Sequence, residues 1–460
     1  MRTQKMEMEI VNPNSAGIDI GSRSHFVAVG QGENDVKEFG VYADDLTDIC
    51  LHLKSHNITS VAMESTGMYW QNLYVELMKH GFDVCLCNGK FTKNIKGKKT
   101  DVKDARWIQK LHSIGLLSSS FLPDETTETL RTYCRQRQNM IALAAEASHK
   151  MQKYLKLLNF RLDVVVNDIC GQTGMAIIED ICKGNLDPST LAEHRNGNCR
   201  KTKEEIAKAL KGNNRTDYLF GLKQELDSYH FYQKKIAECD KQISAFLKNQ
   251  INTDPKKKKL KTADKPHKRV NKNALTGIDL NQASYQYFGG VDLMTIEGMS
   301  HATILSIISE IGPEGFLKFQ SAKQFASWLR LAPNNKISGG KVLSSKIPKG
   351  SNRLKIALRS AANVIGNLKD TPLSDFFRRV CYRKGRMVAI SATARKLAVI
   401  IWNMVVKRQP YQSPVKYLFL DQKRKMKTAL NIRKQIAKFA LTNEDLGISN
   451  NLIISAGQKR

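Results

Sequence analysis

The chain has 460 residues, with 73 Lys and Arg against 43 Asp and Glu, a formal net charge of +30 and a pI near 9.7. So large a cationic excess implies a polyanionic partner, most simply nucleic acid, and a hydrophobic content of 41% leaves material for ordinary cores in roughly two to four domains. Nine scattered cysteines, an odd number, argue against a disulfide framework and fit a reducing cytosol. No apolar run reaches the length of a membrane span, and residues 1–10 are too polar for a signal peptide.

From residue 16 to about 117, short apolar runs alternate with helical patterns. Residues 16–20, 25–29 and 36–42 read as strands, 44–55 as a helix, 59–64 as a strand, 69–80 as a helix, 82–88 as a strand, and a helix opens at Asp101. This order predicts an α/β mixed sheet covered by helices. In Cys85-Leu86-Cys87, strand alternation points both thiols to one face, where they serve as small core residues.

Four carboxylates stand at marked places in that order. Asp19 interrupts the apolar run Ala16-Gly17-Ile18-Asp19-Ile20, Glu64 ends Val61-Ala62-Met63-Glu64, and Asp101 and Asp104 open a helix on neighbouring positions of one face. Each has an ordinary explanation alone: Asp101 as an acid at a helix N-terminus, Glu64 as a strand-end surface residue. Together they form the oxygen-donor set of a hard divalent cation, Mg²⁺ or Mn²⁺. An acid on the first strand, one at the end of the fourth and a pair on the last helix resembles the RNase-H-like (RuvC-like) nucleases of the Holliday-junction-resolvase branch. The loop 89–99 carries five lysines, among them Lys98 and Lys99, suited to phosphate contact.

Leu130, Cys134, Arg137, Ile141, Ala144, Ser148, Met151, Leu155 and Leu158 follow alternating four and three spacing, which predicts a long helix with a partly polar seam. A second such run joins Leu219, Leu222, Leu226, Tyr229, Ile236, Ile243 and Leu247, interrupted by Gln233 and Asp240. The two helices are expected to pair with each other or with a second subunit, dimerisation being preferred. Residues 254–273 are lysine-rich and poor in large apolar side chains, as in a flexible basic linker. Residues 293–303 then suggest either a helix-hairpin-helix turn, with Ser300 where a second hairpin glycine is usual, or a plain helix turn, before an apolar helix at 304–311.

In Lys336-Ile337-Ser338-Gly339-Gly340-Lys341, two glycines allow unusual dihedrals beside a serine flanked by Lys336 and Lys341. An ordinary turn and a phosphate-binding or phosphate-attacking serine are both consistent with it, and Ser344 and Ser345 are competing hydroxyls. Ser344, Ser345, Lys346, Lys349, Arg353, Lys355 and Arg359 extend a basic, hydroxyl-rich surface into a helix at 354–368.

Gly17-Ile18-Asp19-Ile20, Met63-Glu64-Ser65-Thr66-Gly67, residues 97–105, and Arg330-Leu331-Ala332-Pro333 followed by the serine motif together resemble the DEDD-type insertion-sequence transposases. That family includes the Piv DNA invertases and the bridge-RNA-guided recombinases; here Arg330 replaces the glycine usual before Leu-Ala-Pro. The resemblance implies a composite site for DNA strand exchange. Asp19, Glu64, Asp101 and Asp104 would hold Mg²⁺ or Mn²⁺, Ser338 would be the nucleophile, and Lys336, Gly339, Gly340 and Lys341 would meet nucleic acid. It further implies double-stranded DNA and a structured non-coding guide RNA as partners, a dimer pairing into a tetramer, and a bacterial or archaeal cytoplasm. The expected domains are a RuvC-like domain at 1–118, a coiled-coil dimerisation region at 119–253, a linker at 254–273, a mostly α-helical serine transposase domain at 274–410 and a basic tail at 411–460. The chief rival is a Mg²⁺-dependent structure-specific endonuclease using activated water; a non-catalytic nucleic-acid-binding protein conflicts with four intact acids.

Overall fold

The computed structural model describes residues 9–89, 100–261, 273–350, 352–412, 418–442 and 444–445. The chain divides into two units, Met1–Leu122 and Pro123–Arg460.

The first unit runs β1 (Ser15–Ile20), β2 (His25–Ala28), β3 (Val36–Phe39), α1 (Ala43–Ser55), β4 (Ser60–Glu64), α2 (Trp70–Lys79), β5 (Asp83–Cys87) and α3 (Asp101–Ser113). Each element expected from the sequence is present, with its ends moved by three residues at most. The sheet order is β3-β2-β1-β4-β5; β2 pairs antiparallel with β1 and β3, whereas β1, β4 and β5 are parallel neighbours. This mixed sheet fits the RNase-H-like fold.

Period-two alternation gives the sheet two chemically different faces. Ile18, Ile20, Val61, Met63, Val84 and Leu86 bury against Leu46, Ile49 and Leu53 of α1 and Leu73 and Leu77 of α2. The opposite face carries Gly17, Ala62 and Cys85, small enough for α3 to lie directly on the strands. A β-carbon at position 17 would stand 2.1 Å from the Gln109 nitrogen and 2.6 Å from the Ala105 oxygen. Only glycine permits that approach.

The second unit begins with two long helices, α4 (Glu125–Leu157) and α9 (Thr216–Asn252), joined through α5 (Leu162–Val165), α6 (Gln172–Cys182), α7 (Pro188–Ala192) and α8 (Lys203–Ala209). α4 and α9 run antiparallel: Tyr154 lies against Gly221, while Tyr133 meets Phe246 with ring centroids 6.4 Å apart. The seam residues Leu130, Cys134, Arg137, Ala144, Met151, Leu155 and Leu158 are buried, and from Ala144 onward they join Phe160, Ile177, Ile178, Leu191 and Ile206 in one core. Burial within the chain thus accounts for the heptad pattern; the partner found is the second long helix.

The described part of the basic stretch contains a short helix. Asp254 caps α10 (Pro255–Lys258), accepting from the Lys256 nitrogen at 2.9 Å, and the Leu260 carbonyl accepts from Gln282 at 2.6 Å. Residues 262–272 of the expected linker lie outside the described residues. Next come α11 (Leu280–Tyr287), α12 (His301–Glu310), α13 (Gly312–Leu317), α14 (Ala322–Trp328), β6 (Lys336–Ser338), β7 (Lys341–Ser344), α15 (Arg353–Asn367), α16 (Pro372–Lys384), α17 (Arg386–Lys407) and α18 (Leu418–Phe439). Ser300 takes the N-cap role at α12, accepting from the Thr303 nitrogen at 3.3 Å, which explains a hydroxyl where a glycine was expected. Gly312 and Pro313 open α13 as well as closing the apolar run of α12.

One expectation needs correction. α17 is long and apolar enough to cross a membrane by length and composition. In this fold it is a core helix, with Leu397, Ala398, Ile401 and Trp402 buried and with α14, α15 and α16 packed against it.

Candidate active site

The four acids belong to the first unit. Parallel register aligns Ile18 with Met63, so the next residues along, Asp19 and Glu64, fall side by side on adjacent strands. They share the face of Gly17 and Ala62, the face covered by α3. The direction of that helix then places the other two acids. Ser113 accepts from the Val11 nitrogen at 2.8 Å, Gln109 donates to the Ser15 carbonyl at 3.1 Å, and Ala105 sits over Gly17. α3 therefore runs antiparallel to β1, and its first turn, with Asp101 and Asp104, lies toward the Asp19 end of the strand. Thr100 caps that turn, accepting from the Lys103 nitrogen at 3.3 Å. Acids there also benefit from the positive end of the helix dipole.

Asp19, Glu64 and Asp104 are half-buried and Asp101 is exposed. A feature not legible in the sequence is Gly89, where a β-carbon would stand 2.1 Å from Glu64 Oε1. The missing side chain leaves room for the Glu64 carboxylate. Glu64 also accepts from Thr66 Oγ1 at 3.5 Å and lies opposite Cys87 on β5. Cys85 and Cys87 share this face, as alternation predicted. Burial first, then Cys85 and Glu64 nearby, push the Cys87 thiol up to about 12, so it stays protonated and donates to the Met63 carbonyl at 3.3 Å.

A divalent cation fits this donor set in its chemistry: carboxylate oxygens and no soft ligand with an ionisable pKa in the neutral range. Among the described residues, no three His, Cys, Asp or Glu side chains already stand close enough together to enclose an ion. The fit thus lies in donor type and backbone placement, with the Glu64 carboxylate accommodated by Gly89. Lys98 and Lys99, with the rest of their loop from Lys90, lie outside the described residues.

The serine motif belongs to the second unit. β6 and β7 pair antiparallel with Ser338 opposite Lys341, and Gly339 and Gly340 close the hairpin at φ +52° and +74°. Two successive positive φ values are what a tight two-residue hairpin turn demands, and the local twist explains both glycines. Among the described residues, nothing lies within 4 Å of where a β-carbon would stand at either, so close approach to them is not their reason. The strands themselves were missed from the sequence, being only three and four residues long. Ser338, Lys336 and Lys341 are exposed, and the Ser338 hydroxyl has no hydrogen bond among the described residues. Of the competing hydroxyls, Ser344 accepts from the Lys346 nitrogen at 3.4 Å and Ser345 is exposed.

At the hairpin base, the Asn334 nitrogen donates to the Lys346 carbonyl at 3.0 Å. Arg330 Nη1 donates to the Lys349 carbonyl at 2.8 Å. The expected basic surface is less extensive than the sequence suggested. Lys355 is buried, with Nζ 3.5 Å from the Pro348 carbonyl; burial, then Arg359 and Arg330, lower its pKa. Arg359, half-buried, donates to Ser391 at 2.9 Å, whereas Arg353 donates to Gln138 at 2.8 Å and stays exposed.

Two family models match the chain. A DEDD transposase model of IS110 type matches residues 16–160, and one described as the transposase IS116/IS110/IS902 family matches residues 292–377. Together they take in about half of the sequence, with all four acids in the first match and Ser338 in the second. The DEDD assignment implies use of a divalent metal. No curated protein matches the chain.

Proposed function

The chain belongs to the IS110-type DEDD transposases, DNA-binding enzymes of transposition, and on that premise we propose that it exchanges DNA strands by joining a carboxylate site to a serine nucleophile. The observation that carries this reading is the placement of Asp19 and Glu64 side by side beneath α3, whose first turn bears Asp101 and Asp104.

Asp19, Glu64, Asp101 and Asp104 are the residues that would hold Mg²⁺ or Mn²⁺. Such an ion, when bound, neutralises phosphate charge and stabilises the attacking and leaving oxygens. Ser338 attacks a DNA phosphorus through Oγ, losing its proton to solvent or a carboxylate. The P–O bond to one deoxyribose breaks and leaves a free sugar hydroxyl, while a phosphoserine ester keeps the phosphodiester energy. A hydroxyl from the second strand then attacks that ester, releases Ser338 and restores the phosphodiester, so no nucleotide is consumed. Lys336 and Lys341 on the same hairpin hold the phosphate, and the backbone amides of Gly339 and Gly340 can approach it closely. Lys98 and Lys99 make further phosphate contacts.

Exposure of Ser338 along a hairpin whose turn glycines have no neighbour within 4 Å of a would-be β-carbon among the described residues suits a hydroxyl offered to another surface. We assign that surface to the acidic site of a second subunit within a dimer or tetramer. A guide RNA, as in family members that choose sites by base pairing, suits the net charge of +30. Such a protein works in the cytoplasm of its host, where the DNA lies.

The test is a strand-exchange assay on a supercoiled element donor. Asp104→Asn should lower exchange in Mg²⁺ at least a hundredfold, the order expected when a group stabilising the transition state is lost. Ser338→Ala should remove both exchange and the protein–DNA adduct, a loss on the order of a thousandfold or more. Cleavage that persists in Ser338→Ala would instead establish the hydrolytic endonuclease reading. Mapping the trapped adduct to Ser344 or Ser345 would move the nucleophile.

A further inference from the structure

Helix α16 buries Leu373, Phe377 and Val380, which turns Arg378, Arg379, Tyr382 and Arg383 away from the core. Gly385, at φ +82°, ends the helix and starts α17. All seven residues from Tyr382 to Val388 are exposed, and among them Arg383, Lys384 and Arg386 face no acid in the same stretch. Over residues 372–388 there are five cations and a single acid, Asp375. Tyr382 is 94% exposed between these cations in the sequence.

Folding alone does not call for that arrangement, because like charges gathered at a corner repel one another. Several of the groups are nevertheless held in place. Arg386 donates to Asn363 Oδ1 at 2.7 Å and Asn367 Oδ1 at 3.0 Å, with its guanidinium 5.5 Å from the Phe377 ring. Arg378 donates to the Leu368 carbonyl at 2.5 Å and Arg383 to the Arg379 carbonyl at 3.2 Å. Cations fixed in advance lose less entropy when they meet an anion. Guanidinium groups with an ammonium, exposed together at a helix corner, suit successive phosphates of a backbone, and an exposed aromatic ring suits the sugar edge between them.

We propose that the α16–α17 corner is a docking surface for the phosphate backbone of duplex DNA, using Arg378, Arg383, Lys384, Arg386 and Tyr382. This rests on the transposase reading, which favours duplex DNA as the partner. None of these five residues takes part in the proposed reaction, so the role of the corner is to position DNA rather than to react with it.

The experiment uses the full chain and a fluorescent duplex of unrelated sequence, with affinity measured across a series of salt concentrations. Arg383→Ala/Lys384→Ala should weaken binding and flatten the log–log salt slope by nearly 2, about 0.9 for each lost phosphate contact. Lys234→Ala/Lys241→Ala, two exposed cations of α9, removes the same charge elsewhere and should leave the slope close to that of the parent. Tyr382→Ala should weaken binding without changing the slope. Thermal melts of each variant confirm that the fold is kept. The surface is overturned by a double variant with the parent's slope, by a control pair that flattens it equally, or by a defect confined to a structured RNA hairpin. Those outcomes leave the transposase reading standing; a parent chain that binds no duplex overturns both.

Discussion

Single residues show where backbone conformation outweighs side-chain chemistry. Arg330 has φ +53°, the left-handed region, at the position where the resembling family carries glycine. A β-carbon there costs about 1–2 kcal/mol, so glycine is the unstrained choice. Arg330 recovers part of that cost by donating to the Lys349 carbonyl. Comparing Arg330→Gly with Arg330→Ala isolates the backbone term, since both lose the hydrogen bond. The glycine variant should be more stable by about 1 kcal/mol in urea unfolding. Cys87 makes a second case. Its thiol is raised from an ordinary 9.0 to about 12 by burial, so the folded state holds its proton more tightly than the unfolded chain does. That contribution is complete below the ordinary thiol value and is lost as pH rises toward about 12. The urea midpoint should therefore fall between about pH 8 and pH 10.5, and the fall should be smaller in Cys87→Ala, where that proton is absent.

At the scale of elements, the polar interruptions of the two long helices find each other. Arg137 of α4 pairs with Asp240 of α9 in a nearly dry setting, and each has further partners. Arg137 donates to the carbonyls of Asn273 and Ala274 at 3.0 and 3.2 Å, and Thr276 donates to Asp240 from its nitrogen and hydroxyl at 3.1 and 2.9 Å. The pair thus sets the helix register and anchors the chain where it returns from the basic stretch. Removing one partner strands a buried charge, so Asp240→Leu should cost about 3–5 kcal/mol in urea unfolding. Arg137→Met/Asp240→Leu should recover most of the loss, because no charge is then left behind. The heptad spacing disclosed both helices and even their flaws. It did not disclose that the flaws were partners, since spacing carries no information about which other segment a seam will meet. The serine hairpin was legible only as a Ser-Gly-Gly turn: strands of three and four residues offer too few alternations to register as a pattern.

For the molecule as a whole, the charge of +30 was the broadest signal, and it pointed correctly to nucleic acid as the partner of a transposase. Composition could not say which cations are free to meet it. Lys355 is buried and Arg359 is half-buried, whereas the α16–α17 corner, unremarkable in sequence, keeps its cations at the surface. Strand and helix positions in the first unit, and the acids that interrupt them, could be found from the sequence because they depend on steric preference and periodicity over a few neighbouring residues. Tertiary structure alone decided that Asp19 stands beside Glu64, that α3 runs antiparallel to β1 on Gly17, and that Gly89 makes room for the Glu64 carboxylate. Those facts arise from contacts between segments far apart in the chain, where strand register and close packing, not local propensity, choose the neighbour.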